Sequence, residues 1–192
     1  VAVARAFAAG EVPLDAVAGV HGALADQLRQ GAYGARQLPW VRSAYLHVTH
    51  RCNLCCEGCY SWEGHRNRLP DSTVGELRRA LRFLSRQGID ELNVSGGEPF
   101  LRDDLPAVLE AAAIEFGIPS INVLTNGTVL DPALLQACAP FVSMLSVSFD
   151  GASADDAAWV RGEQRFDELV AFARAAQDAG MSVCITPTLH RW

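Results

Sequence analysis

Residues Tyr45 to Tyr60 read Tyr-Leu-His-Val-Thr-His-Arg-Cys-Asn-Leu-Cys-Cys-Glu-Gly-Cys-Tyr. A short apolar run suited to a β-strand passes directly into Cys52, Cys55, Cys56 and Cys59, four thiols within eight residues. Thiols this crowded oxidise and scramble unless a metal, a cluster or a redox reaction employs them.

The same strand-then-polar-loop unit recurs downstream. Tyr45–Thr49, Glu91–Ser95, Ile121–Leu124, Met144–Phe149 and Ser182–Thr186 are rich in Val, Ile, Leu and Phe, and predict five strands. Helical patterns with defined ends lie between them. Thr73-Val-Gly-Glu76 is a capping-box sequence opening a helix with Val74, Leu77, Leu81 and Leu84 on one face, ended by Gly88. Asp104 precedes a helix containing Leu105, Val108, Leu109 and Ala112, stopped by Gly117. Asp131-Pro132 is an N-cap with proline at the first helical position, and Phe166, Leu169, Val170 and Ala173 mark a last helix closed by Gly180.

Strand–helix alternation without hairpin signals implies parallel strands joined by crossovers. An α/β fold follows, as an open doubly wound sheet or a barrel, and in both the active-site residues sit just after the strands. The polar clusters fall there: His50-Arg51-Cys52, Gly96-Gly97-Glu98-Pro99, Thr125-Asn126-Gly127 and Asp150-Gly151. Residues 1–42 read as a helical extension, with Val17, Val20, Leu24 and Leu28 sharing a face and no chemistry visible, and 43–192 as the core domain.

The 192 residues suffice for one sizeable core, and 49% apolar with 20% charged residues is an ordinary globular balance. A net charge of −6 argues against a nucleic-acid partner, which needs clustered Lys and Arg. Arg66, Asn67 and Arg68 form a small basic knot that reads as a solvated loop. No apolar run is long enough to span a bilayer, and no signal-peptide pattern is present, so no membrane association is expected. Cys138 and Cys184 lie in apolar surroundings, away from the crowded loop, which suits a reducing cytoplasm with one metal site. The chain begins with Val and offers no sixth strand after Leu189, so a partial chain is expected.

Three readings of the cysteine loop compete. Structural zinc normally uses two separated Cys-x-x-Cys pairs, whereas Cys52-x-x-Cys55 and Cys56-x-x-Cys59 abut. A thiol–disulfide centre at Cys56-Glu-Gly-Cys59 leaves Cys52 without a role. An iron–sulfur cluster on Cys52, Cys56 and Cys59 uses a Cys-x3-Cys-x2-Cys spacing and leaves one iron open to a chelating ligand. Cys55 is then a bystander.

Cys52-x3-Cys56-x2-Cys59 directly after a first strand resembles the signature of the radical S-adenosylmethionine (radical SAM) superfamily. Further landmarks follow in order over roughly residues 43 to 190. Gly96-Gly97-Glu98-Pro99 resembles its Gly-Gly-Glu segment, and Thr125-Asn126-Gly127 its Thr-Asn-Gly turn. Ser148-Phe149-Asp150-Gly151 with Arg161-Gly162 resembles the fourth-strand segment of its peptide-modifying branch, which carries a cysteine-rich (SPASM-type) extension.

The resemblance implies a partial (β/α)6 TIM-like barrel, incomplete at its C-terminal end. It also implies a [4Fe–4S] cluster that reductively cleaves S-adenosylmethionine to a 5′-deoxyadenosyl radical. Cluster and cofactor carry that chemistry, and the protein supplies position. Gly96 and Gly97 are expected to let the backbone approach a ligand with free N–H groups. Glu98 would take the methionine ammonium and Arg161 its carboxylate. Ser148 or Asp150 would accept from ribose hydroxyls, Asn126 would bond near the methionine moiety, and Tyr60 would line the site. Taken singly, each of these motifs is also an ordinary turn or a surface ion pair.

The implied substrate is a peptide or protein side chain. The alternatives are a small-molecule cofactor pathway (molybdopterin, a quinone or a modified haem) and a non-catalytic Fe–S or zinc module. An electron donor such as flavodoxin or ferredoxin would be a partner.

Overall fold

The computed structural model describes residues 42–56, 58, 59, 70–151 and 165–187. The expected helical extension lies outside them except for its last residue, Arg42, and Tyr60 and Arg161 lie outside them as well. Five strands form one sheet: β1 Ser43–Thr49, β2 Glu91–Gly96, β3 Ser120–Thr125, β4 Met144–Ser148 and β5 Val183–Thr186. Every neighbouring pair is parallel and the order is β1-β2-β3-β4-β5. A doubly wound sheet reverses its strand order at a switch point, and this one never does. The sheet is therefore a partial, TIM-like barrel, a choice the alternation of elements left open.

The crossovers contain α1 Val74–Arg86, α2 Leu105–Glu110, α3 Pro132–Cys138 and α4 Phe166–Asp178. Thr73 and Glu76 form the expected capping box, with Glu76 N–H donating to the Thr73 hydroxyl at 3.2 Å and Thr73 N–H to the Glu76 carboxylate at 2.8 Å. Asp131 caps α3 by accepting from Ala133 and Leu134 N–H. Asp104 behaves differently from a cap, because Arg102 takes its carboxylate bidentately at 2.8 and 2.9 Å. Helix α2 widens into a π-helical turn over Ala111–Glu115, in which Phe116 N–H reaches back to Ala111 C=O.

Register places like with like across the sheet. Leu46, Val94, Val123, Leu145 and Val183 form one row facing the helices, and Leu92 pairs with Ile121 in the row below. These side chains join Leu77, Leu81, Leu105, Leu109, Leu135 and Phe172 in a single core. Fully burying a side chain of this size stabilises the fold by about 1.5–3 kcal/mol. The opposite face is polar. Asn122 donates to Asn93 at 3.2 Å, and Asn93 donates to Ser43 and Glu91 at 2.9 Å each. A polar inner wall suits a barrel that holds ligands rather than a plugged core.

Candidate functional site

The expected polar clusters converge at the C-terminal ends of β1 to β4. How they meet is set by backbone contact between β1 and β2. Gly96 ends β2 at φ +142°, and a Cβ added there would lie 2.3 Å from the Thr49 carbonyl oxygen. A Cβ on Gly97 would lie 2.0 Å from the Arg51 carbonyl oxygen. Gly97 N–H donates to Thr49 C=O at 2.9 Å, and Glu98 N–H to Arg51 C=O at 2.7 Å. The glycines thus let the second loop lie directly on the start of the cysteine loop. The Gly97 N–H expected to face a ligand is instead used inside the protein.

Glu98 is fully buried. One carboxylate oxygen accepts from Phe100 N–H at 3.0 Å and from the Thr125 hydroxyl at 2.8 Å, and the other accepts from Asn126 N–H at 2.7 Å. Phe100 in turn packs edge-on against Phe172, with ring centroids 5.5 Å apart, and so seats this loop in the core. The carboxylate expected to meet an ammonium holds the loops after β2 and β3 together.

Asn126 continues the chain of contacts. Its side-chain N–H₂ donates to Asn53 at 2.9 Å and to the Cys52 sulfur at 3.7 Å. Its side-chain oxygen accepts from Thr128 N–H and hydroxyl at 3.0 and 2.7 Å. Asn53 closes the ring by donating to the Thr128 hydroxyl at 2.7 Å. Asn53 and Thr128 carry no sequence signal of their own beyond standing next to Cys52 and Gly127.

The cysteine loop is anchored by buried Leu54. All four of its cysteines are free thiols; Cys52 and Cys56 are half-buried, while Cys55 and Cys59 are exposed. Cys59 N–H donates to Cys56 C=O at 3.2 Å across a turn in which Gly58 has φ +72°. That left-handed position accounts for glycine before the third cysteine. Burial pushes the Cys52 thiol up, and the Glu98 charge and Cys59 add to this; Leu54 N–H and Asn126 pull the other way. Ser148 and Asp150 are half-buried where β4 ends. Cys138, the last residue of α3, is buried and its thiol is pushed up to about 12 by desolvation, which suits an inert core residue.

A second set of contacts ties the two ends of the cysteine loop through Asp71 and Arg102, which lie outside the motifs read from the sequence. Asp71 accepts from the Thr49 hydroxyl at 2.6 Å and from Arg51 Nε at 2.8 Å. Arg102, 3% exposed, donates to Val48 C=O at 2.7 Å and Ser72 C=O at 2.9 Å, bridging chain before and after the loop. Desolvation opposes ionisation of Asp71, but the Thr49 and Arg51 hydrogen bonds and the Arg51 and Arg102 charges hold its carboxyl below the usual range. A carboxyl with a depressed folded pKa adds stability that is full above its unfolded value, about 3.9, and fades as pH falls through the lower folded one. Wild type should therefore melt above Asp71→Asn at neutral pH, with the gap closing below about pH 4. Melting temperatures across that range check this, and a gap independent of pH would count against the clamp.

The chemistry of the donor set, free thiols close together on one loop, suits an iron–sulfur cluster, in which each thiolate takes its own iron.

A family profile described as the radical SAM superfamily matches residues 46–191. The chain is 33% identical over 139 residues to a GTP 3′,8-cyclase of Tolumonas auensis, covering 70% of this chain and 40% of that protein. It is 31% identical over 157 residues to a probable GTP 3′,8-cyclase of Methanocella arvoryzae, covering 81% and 47%. The chain thus spans less than half the length of these curated relatives. The fold is similar to Streptococcus suis SuiB, solved bound to its precursor peptide SuiA, with a TM-score of 0.66 at 18% identity, covering 84% of this chain and 35% of that one.

Proposed function

Because the chain belongs to the radical SAM superfamily, whose cofactors are a [4Fe–4S] cluster and S-adenosylmethionine, we propose that Cys52, Cys56 and Cys59 are its cluster ligands. The observation that carries this is the meeting of the Cys52 loop, the Gly96-Gly97-Glu98 loop and the Asn126 loop at one end of the sheet. When bound, the reduced cluster would give one electron to the sulfonium of S-adenosylmethionine, whose S–C5′ bond would break to methionine and a 5′-deoxyadenosyl radical able to take a hydrogen atom from substrate.

The chain's own residues bind and position. Three thiolates would leave the fourth iron open to the cofactor. Gly96 and Gly97 bring β2 against the cysteine loop, and Glu98 holds that loop to the Asn126 turn. Ser148 and Asp150, at the end of β4, are proposed to accept from ribose hydroxyls, and Arg161 and Tyr60 complete the proposed cofactor set. Leu54 and Phe100 are both buried, and Phe100 seats its loop in the core.

The substrate proposed is a peptide or protein side chain, a reading supported by the wording of the cysteine loop and of the Ser148-Phe149-Asp150-Gly151 segment. A second reading, a nucleotide consumed in making a small cofactor, is supported by the identity to GTP 3′,8-cyclases. Flavodoxin or ferredoxin is the proposed electron donor. Among the described residues no helix is long and apolar enough to cross a membrane.

The test is anaerobic reconstitution of the full chain, followed by reduction with S-adenosylmethionine present. The expected result is 5′-deoxyadenosine and methionine in equal amounts. A fully loaded cluster that yields none would end the catalytic reading. Stimulation by ribose-deuterated GTP, with the deuterium appearing in 5′-deoxyadenosine, would select the second substrate class over the first.

A further inference from the structure

Asn126 was expected to bond the cofactor, yet each polar atom of its side chain is engaged within the protein. The amide oxygen is held by two donors of Thr128, which leaves the N–H₂ group facing Asn53 and the Cys52 sulfur. Its backbone N–H is held by Glu98, a carboxylate with no exposure to solvent. An amide fixed at the oxygen, the backbone and one N–H has little freedom to turn its remaining N–H away from Cys52. Leu54 N–H, at 3.4 Å, supplies a second donor to the same sulfur.

We infer that Asn126 is a positioning residue for the cluster: it donates a hydrogen bond to the Cys52 thiolate and is itself held in place by Glu98, Asn53 and Thr128. This rests on the assignment of Cys52 as a cluster ligand. An N–H bond to a ligating sulfur stabilises the reduced, more negative cluster more than the oxidised one, and so raises its potential. The turn after β3 therefore sets how readily an electron donor reduces a cluster bound on the loop after β1. Glu98 acts at one remove, because shifting it would move Asn126 and the cluster ligand together.

The experiment measures the cluster's midpoint potential by EPR-monitored titration without S-adenosylmethionine, and the affinity for that cofactor separately. Wild type, Asn126→Ala and Asn53→Ala full chains are compared at matched iron and sulfide content. The expected result is a more negative midpoint for Asn126→Ala and a smaller shift in the same direction for Asn53→Ala. Restoring a side-chain amide with Asn126→Gln is expected to recover part of the potential. An unchanged midpoint with weakened cofactor binding would overturn the inference, since that pattern belongs to a residue touching only the cofactor. If Asn126→Ala does not fold, an unshifted midpoint in Asn53→Ala would overturn it alone. A wild-type chain that takes up no cluster would refute the cluster assignment itself, and this inference with it.

Discussion

Gly97→Ala is expected to abolish cluster uptake and to destabilise the fold by about 3 kcal/mol or more, from overpacking and two lost hydrogen bonds together. The added Cβ would sit 2.0 Å from the Arg51 carbonyl oxygen, 2.5 Å from its carbon and 3.0 Å from Cys52 N. All three are backbone atoms, so no side chain can rotate to relieve the clash. The chain must instead separate, breaking the bonds from Gly97 N–H to Thr49 and from Glu98 N–H to Arg51. Cys52, one residue beyond Arg51, would move with it. Gly58→Ala is the matched control: nothing lies within 4 Å of its Cβ position, so it bears only the left-handed backbone cost of about 1–2 kcal/mol. Thermal unfolding and iron content measured on both variants check this. A Gly97→Ala chain that melts and loads like wild type would show that the two loops are not in contact.

The second large effect concerns the cysteines. Cys52→Ala, Cys56→Ala and Cys59→Ala are each expected to lose nearly all reconstituted iron and sulfide, and with it all cofactor cleavage. Cys55→Ala should keep both. Cys55 is exposed, adjoins Cys56 on the chain, and stands outside the three-cysteine spacing. A fourth thiolate would also take the iron position that the cofactor needs. Iron and sulfide counts on the four variants decide the assignment, and loss of the cluster in Cys55→Ala alone would reverse it.

Strands and helices were legible because their signals are local. Short runs rich in Val, Ile, Leu and Phe placed all five strands to within two residues. The Thr73–Glu76 cap and the Asp131-Pro132 start are likewise short-range chemistry. Asp104 does stand just before its helix, but its side chain makes no cap bond, because Arg102, two residues away, takes its carboxylate with charge-assisted bonds.

The candidate site divides along the same line. Cysteine spacing, the polar clusters following each strand and the resemblance to the radical SAM signature singled out Cys52, Cys56, Cys59, Glu98 and Asn126 as candidates. Their partners were not legible. Asp71 and Arg102 have no motif around them, and each matters only because folding brings it against Thr49, Arg51 or Val48.

By itself, then, the sequence determined the order of elements, the three-cysteine spacing and the positions where polar loops interrupt the strands. The tertiary structure alone decided the unreversed strand order and the partners of Glu98 and Asn126. The physical reason is distance along the chain. Glu98 meets Thr125 across 27 residues, and Asn126 meets Cys52 across 74. No periodicity or propensity reports on a contact that exists only once the strands have been laid side by side.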